Sequence, residues 1–136
     1  MNACIAFAVV AGVLLVGGAD CGGAAPAPTL TQLKADVFQP RCGATGCHGG
    51  TNPARGLDLV TDPHAALVDA VSVVDPAQRY VVAGDVEASL LLKVLAGPVP
   101  SPGGDADCRR MPPGFDLADD DVAAVRAWIA DGAAND

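Results

Sequence analysis

Arg41-Cys42-Gly43-Ala44-Thr45-Gly46-Cys47-His48-Gly49-Gly50 is the stretch on which the reading of this chain turns. Four residues separate two thiols, and an imidazole directly follows the second. The glycines and the lack of apolar periodicity place the stretch in a loop. Three chemistries use such a set. A disulfide would leave His48 as a surface residue. A tetrahedral zinc site would add Cys108 to Cys42, Cys47 and His48. In covalent haem attachment, both thiols bond the vinyl groups and the imidazole meets the iron, usually with two residues between the cysteines. The extra residues here are small, two of them glycine, so the loop can bulge without carrying either sulfur far.

Haem iron held by His48 calls for a second, soft and neutral ligand on a separate segment. Met111 fits, in the stiff stretch Met111-Pro112-Pro113-Gly114, and the only other methionine is Met1. A thioether opposite an imidazole raises the reduction potential by favouring the ferrous state. His64 is an alternative iron ligand or an exposed helix residue. Arg41, Arg79 and Tyr80 are candidate hydrogen-bond donors to a propionate, or ordinary surface and core-edge residues. Leu57, Leu59, Leu91, Leu95 and Trp128 are candidates to pack against the macrocycle. Cys108 is free, bridged or haem-adjacent. If it pairs with Cys42, only Cys47 remains for thioether attachment.

Working outward, the spacing of Leu30, Leu33, Val37 and Phe38 predicts a helix, with Thr29 or Thr31 as its cap and Pro40 as its stop. Asp62-Pro63 predicts a short helix through Val68. Asp85 caps a predicted third helix, Val86 to Ala96, with Leu91, Val94 and Leu95 as its apolar stripe. Residues 98–116 read as a long Pro/Gly loop. A last helix is predicted from Ala118 to Asp131, with Val122, Val125, Trp128 and Ile129 buried and Gly132 closing it. Asp119-Asp120-Asp121 suits the positive end of that helix better than a calcium site. No period-two alternation persists, so the class is all-α: about four short helices with long loops. Loops of such length in a small domain are disordered or organised around a site, and here both carry ligand chemistry.

The 136 residues leave room for one domain. Hydrophobic residues make up 51%, but only Trp128, Tyr80, Phe7, Phe38 and Phe115 are aromatic. With sixteen glycines and eleven prolines, the chain needs more than a large core to hold it together. A formal charge of −8 argues against nucleic acid and anionic membrane surfaces. A basic protein partner or simple solubility suits it better.

Ile5 to Val16 is an apolar run of signal-peptide length, too short to span a bilayer, with small residues suited to cleavage after Ala19. Met1-Asn2-Ala3-Cys4 lacks the positive charge that usually precedes such a run. The expected organisation is an export segment at 1–19, a Gly/Ala/Pro tether at 20–29 and a folded domain at 30–136. That places the domain in the periplasm or at the outer face of a membrane. Cys21 is a candidate lipid anchor, although Asp20 spoils the lipoprotein motif. Nothing signals oligomerisation, and a monomer is expected.

The chain resembles the small single-haem c-type cytochromes, in particular the cytochrome-c-like domains of exported bacterial proteins. The matching pieces are Val37-Phe38-Gln39-Pro40-Arg41-Cys42, Gly46-Cys47-His48-Gly49 and Gly56-Leu57-Asp58-Leu59. Val82-Ala83-Gly84-Asp85 with Ser89-Leu90-Leu91 follows, then Met111-Pro112-Pro113-Gly114, then Trp128-Ile129 with Asp131-Gly132-Ala133. The resemblance implies a cytochrome c-like fold in which the first and last helices cross, with Phe38 against Trp128 or Ile129. It also implies haem c on Cys42 and Cys47, iron between His48 and Met111, and single-electron transfer to a redox partner protein rather than catalysis. Two other functions stand beside it. One is a haem-free binding domain stapled by Cys42–Cys108. The other is an enzyme with an open iron site.

Overall fold

The computed structural model describes residues 25–99 and 110–136. The expected export segment, most of the expected tether, Cys21 and Cys108 lie outside the described residues. Those described hold four α-helices and no strand, only isolated bridges.

Helix α1, Leu30–Leu33, starts at a capping box. The Thr29 hydroxyl accepts the Gln32 amide at 3.1 Å, and the Gln32 side chain accepts the Thr29 amide at 2.9 Å. Asp136 takes the remaining donors of the first turn: its carboxylate accepts Leu30 N–H at 2.8 Å and its backbone carbonyl accepts Thr31 N–H at 3.0 Å. No amide of that turn is left without an acceptor.

The helix does not stop at Pro40 as the sequence predicts. It widens into a π-helical stretch, Lys34–Cys42, that carries the proline inside it. In an α-helix the pyrrolidine ring would clash with the carbonyl four residues back, and the wider turn relieves that clash. Cys42 is thereby delivered at the end of a helix whose Leu30, Leu33, Val37 and Phe38 are all buried.

Helix α2, Pro63–Leu67, has Asp62 as its cap, accepting Ala65 N–H at 3.0 Å. Helix α3 is shorter than predicted and covers Leu90–Ala96. Asp85 caps a turn instead, accepting Ala88 N–H at 2.9 Å. At Ser89 the hydroxyl donates to the Asp85 carbonyl at 2.7 Å and accepts Val82 N–H at 2.9 Å, which redirects the chain. The helix restarts at Leu90, whose amide donates to the Arg79 carbonyl at 3.1 Å. This rotates the stripe: Leu90, Leu92 and Leu95 are the buried residues, with Leu91 and Val94 half-buried.

Helix α4, Asp119–Ala130, has its three aspartates in the first turn, where the macrodipole favours them. It ends as a Schellman motif, with Gly132 N–H on the Ile129 carbonyl (3.1 Å) and Ala133 N–H on that of Trp128 (2.9 Å). The turn puts Gly132 at φ +104°, open to glycine without strain. Helix α4 packs on both α1 and α3. Phe38, Trp128 and Ile129 share one buried cluster with Leu59, Leu67 and Leu95. Val122, predicted to be buried, is half-buried.

Candidate functional site

Cys42, at the end of the π-helical stretch, is half-buried against the core, whereas Cys47 is exposed. Neither is bridged. The segment between them folds out as a bulge and then returns. Cys47 N–H donates to the Ala44 carbonyl at 2.9 Å, and His48 N–H reaches back to the Cys42 carbonyl at 2.9 Å. Two glycines make the return possible. A Cβ on Gly43 would sit 2.5 Å from Val60 Cγ2 and 2.9 Å from the Gln39 carbonyl, and a Cβ on Gly49 would collide with the Gly43 carbonyl.

His48 is held from three directions. Its carbonyl accepts Leu59 N–H at 2.8 Å, its amide is spent on Cys42, and ring Nδ1 lies 3.2 Å from the Leu57 carbonyl. A backbone carbonyl can only accept, so this contact assigns the proton to Nδ1 and the lone pair to Nε2. A ring nitrogen fixed in this way is the usual companion of a metal bond at the other nitrogen. Burial pushes the His48 pKa below its ordinary 6.5, against the pull of the Leu57 and Ala54 carbonyls. The ring is therefore neutral at neutral pH, as a ligand must be. The Cys42 thiol is pushed up to about 11, first by burial and then by Cys47 and Asp121, so it stays protonated.

Met111 lies half-buried against the same core cluster. Its amide donates to the Val94 carbonyl at 2.8 Å, one of the carbonyls left over at the end of α3. A hollow of about 380 Å³ flanks it, lined by Arg110, Pro112, Gly114, Phe115 and Asp116. A second hollow, about 450 Å³, lies at the start of α1 by Lys34, Thr61 and Asp136. Neither is lined by Cys42, Cys47 or His48.

Of the residues expected to pack on a macrocycle, Leu59, Leu95 and Trp128 are buried, while Leu57 and Leu91 are half-buried beside the core. The other candidates are engaged elsewhere. Arg41 Nε stands 3.8 Å from Asp121, Arg79 donates to the Asp69 carbonyl, and the Tyr80 hydroxyl accepts Val73 N–H at 3.1 Å. His64 is half-buried in the first turn of α2. Among the described residues no group of three or more His, Cys, Asp or Glu is gathered to chelate a metal, so Cys42, Cys47 and His48 do not themselves form a zinc cage.

The two backbone carbonyls that position the site, those of Leu57 and Val94, were invisible in the sequence, because every residue carries one. No protein-family model, curated protein or solved structure matches the chain. The all-α architecture is what the structure establishes.

The residues present suit a covalently held haem by their chemistry. Two unbridged cysteines flank a closed loop, a neutral imidazole follows the second, and a thioether faces the same core. Leu57 and Leu91 are half-buried and apolar, packed against the core.

Proposed function

We propose that this chain is a single-electron carrier of the cytochrome c-like kind, holding one haem c outside the cytoplasmic membrane. The observation that carries the reading is the contact between His48 Nδ1 and the Leu57 carbonyl, directly after Cys47 in a closed loop. Haem c supplies a reversible ferric/ferrous couple. Everything else falls to the chain. His48, its tautomer fixed by Leu57, would hold the iron through Nε2. Cys42 and Cys47 provide the two anchoring sulfurs, one from the end of a helix and one from an exposed turn. Met111, its backbone tethered to Val94, would hold the iron through its thioether. Leu59, Leu95 and Trp128 exclude water on the protein side, which keeps the local dielectric low and helps set the potential.

Replacement of the distal ligand tests this reading. Met111→Ala is expected to retain covalently bound haem and lose the weak far-red band of iron–methionine ligation. Its midpoint potential should also drop. If the band and potential are those of the parent protein, Met111 is not the ligand. If the parent itself lacks the band, the open-site haem enzyme becomes the better account.

A further inference from the structure

Phe115 is 51% exposed in the loop that carries Met111, and it lines the hollow of about 380 Å³ with Arg110, Pro112, Gly114 and Asp116. Leaving an aromatic ring half in water forgoes a large burial gain, and aromatic residues are over-represented in the cores of protein interfaces. Among the described residues, the charges that neighbour it in sequence are not all paired. Arg110 is set against Asp116 at 2.6 Å and Arg41 against Asp121 at 3.8 Å. Asp119 and Asp120, exposed on the first turn of α4, form no ion pair among the described residues. An exposed aromatic thus stands in the loop of the proposed distal ligand, and two exposed aspartates follow it four and five positions on, at the start of α4.

We infer that this face, formed by the loop Met111–Asp116 and the first turn of α4, docks a redox protein whose own cofactor edge is apolar and rimmed by Lys and Arg. The inference rests on the electron-carrier reading and adds where, and to what, the electron passes. The exposed aspartates select a cationic partner and speed encounter, an effect that salt screens. Phe115 supplies the apolar contact once the partner has arrived. A patch this small suits the short-lived contacts of electron-transfer pairs, which bury less than about 1,200 Å² in total. The same charges disfavour an anionic lipid surface.

The test is stopped-flow electron exchange between the reduced holoprotein and two probes, a small basic cytochrome and a small acidic one, at low and high ionic strength. The basic probe should react faster at low salt and lose that advantage as salt is added. Asp119→Asn/Asp120→Asn should slow the basic probe roughly three- to tenfold at low salt. Asp36→Asn, a charge removed from the exposed side of the π-helical stretch, should change it much less. Phe115→Ser should slow the basic probe at both salt concentrations. Equal effects of the α4 and Asp36 substitutions, or indifference to Phe115→Ser, would overturn the docking face while leaving the electron carrier intact. A dimer that Phe115→Ser dissolves would reassign the face to self-association. A folded protein without haem would remove the carrier and the docking face together.

Discussion

Two long connections in this protein solve the same problem differently. The loop from Asp69 to Ser89 adds its own side chains as acceptors to backbone pairs such as Ser72 to Gln78, Tyr80 to Ala70 and Val81 to Leu67. Ser72 accepts the amides of Val74 and Asp75 (3.3 and 3.2 Å), and Asp75 accepts Ala77 N–H (3.1 Å) and the Gln78 side chain (2.6 Å). Tyr80 and Ser89 accept amides as well. Across the Cys-His stretch of the loop from Cys42 to Leu59 the closure is by backbone pairs, from His48 to Cys42, Ala54 to Cys47 and Leu59 to His48. Its glycines allow the close approach. In the first loop the functional groups are consumed in building the loop. In the second they are held in place and left available, with His48 using one nitrogen and keeping the other. A loop that spends no thiol on its own structure is what the proposed haem attachment needs.

The comparison can be broken by substitution. The largest effect is expected at Gly49→Ala, where the new Cβ meets the Gly43 carbonyl and comes within 3.0 Å of Val60 Cγ2. Backbone cannot yield as a side chain can, so urea denaturation should show a loss of about 2–3 kcal/mol. Ser89→Ala comes next. It strips the acceptor from Val82 N–H at a site with no solvent exposure, for a loss of about 1–3 kcal/mol. The haem content of the protein that still folds should not change.

Cys47→Ala sharpens the contrast. Its thiol is exposed, so the haem-free chain should lose no more than about 0.5 kcal/mol. The matured protein, however, should show a red-shifted haemochrome with one thioether. A stability cost matching that of Ser89→Ala would mean the Cys-His loop is structural after all.

The smallest effect concerns pH. Burial holds the His48 pKa below 6.5, so the unfolded chain takes up its proton first. The stabilisation from keeping this ring neutral is complete above 6.5 and is lost as pH falls from there toward the lower folded value. Haem-free protein should unfold more easily in urea at pH 5 than at pH 7.5, and His48→Gln should flatten that difference. An unchanged slope would locate the titration elsewhere.

Much of the helical frame was legible in the sequence, because caps and apolar spacing are local signals. Asp62-Pro63 and the buried face of Leu30, Leu33, Val37 and Phe38 are where their spacing puts them. The last helix departs from its predicted bounds by a single residue at each end. The errors arose where tertiary contacts overrode a local rule. Pro40 is absorbed by a widened turn, and Ser89 takes over from Asp85 as the start of α3 because its hydroxyl is claimed by Val82 and Asp85. At the site, the side chains declared themselves by type: two thiols, an imidazole and a thioether. Their supports did not, because the carbonyls of Leu57 and Val94 have no sequence signature.

The central claim is tested most directly by a pyridine haemochrome spectrum of the full chain made with a cytochrome c maturation system, run beside a haem-stained denaturing gel. The account predicts haem that stays with the chain on the gel and a band at the position of two-thioether haem c, reporting bonds to both Cys42 and Cys47. Folded, soluble protein that carries no haem would contradict it and leave a haem-free binding domain as the better description.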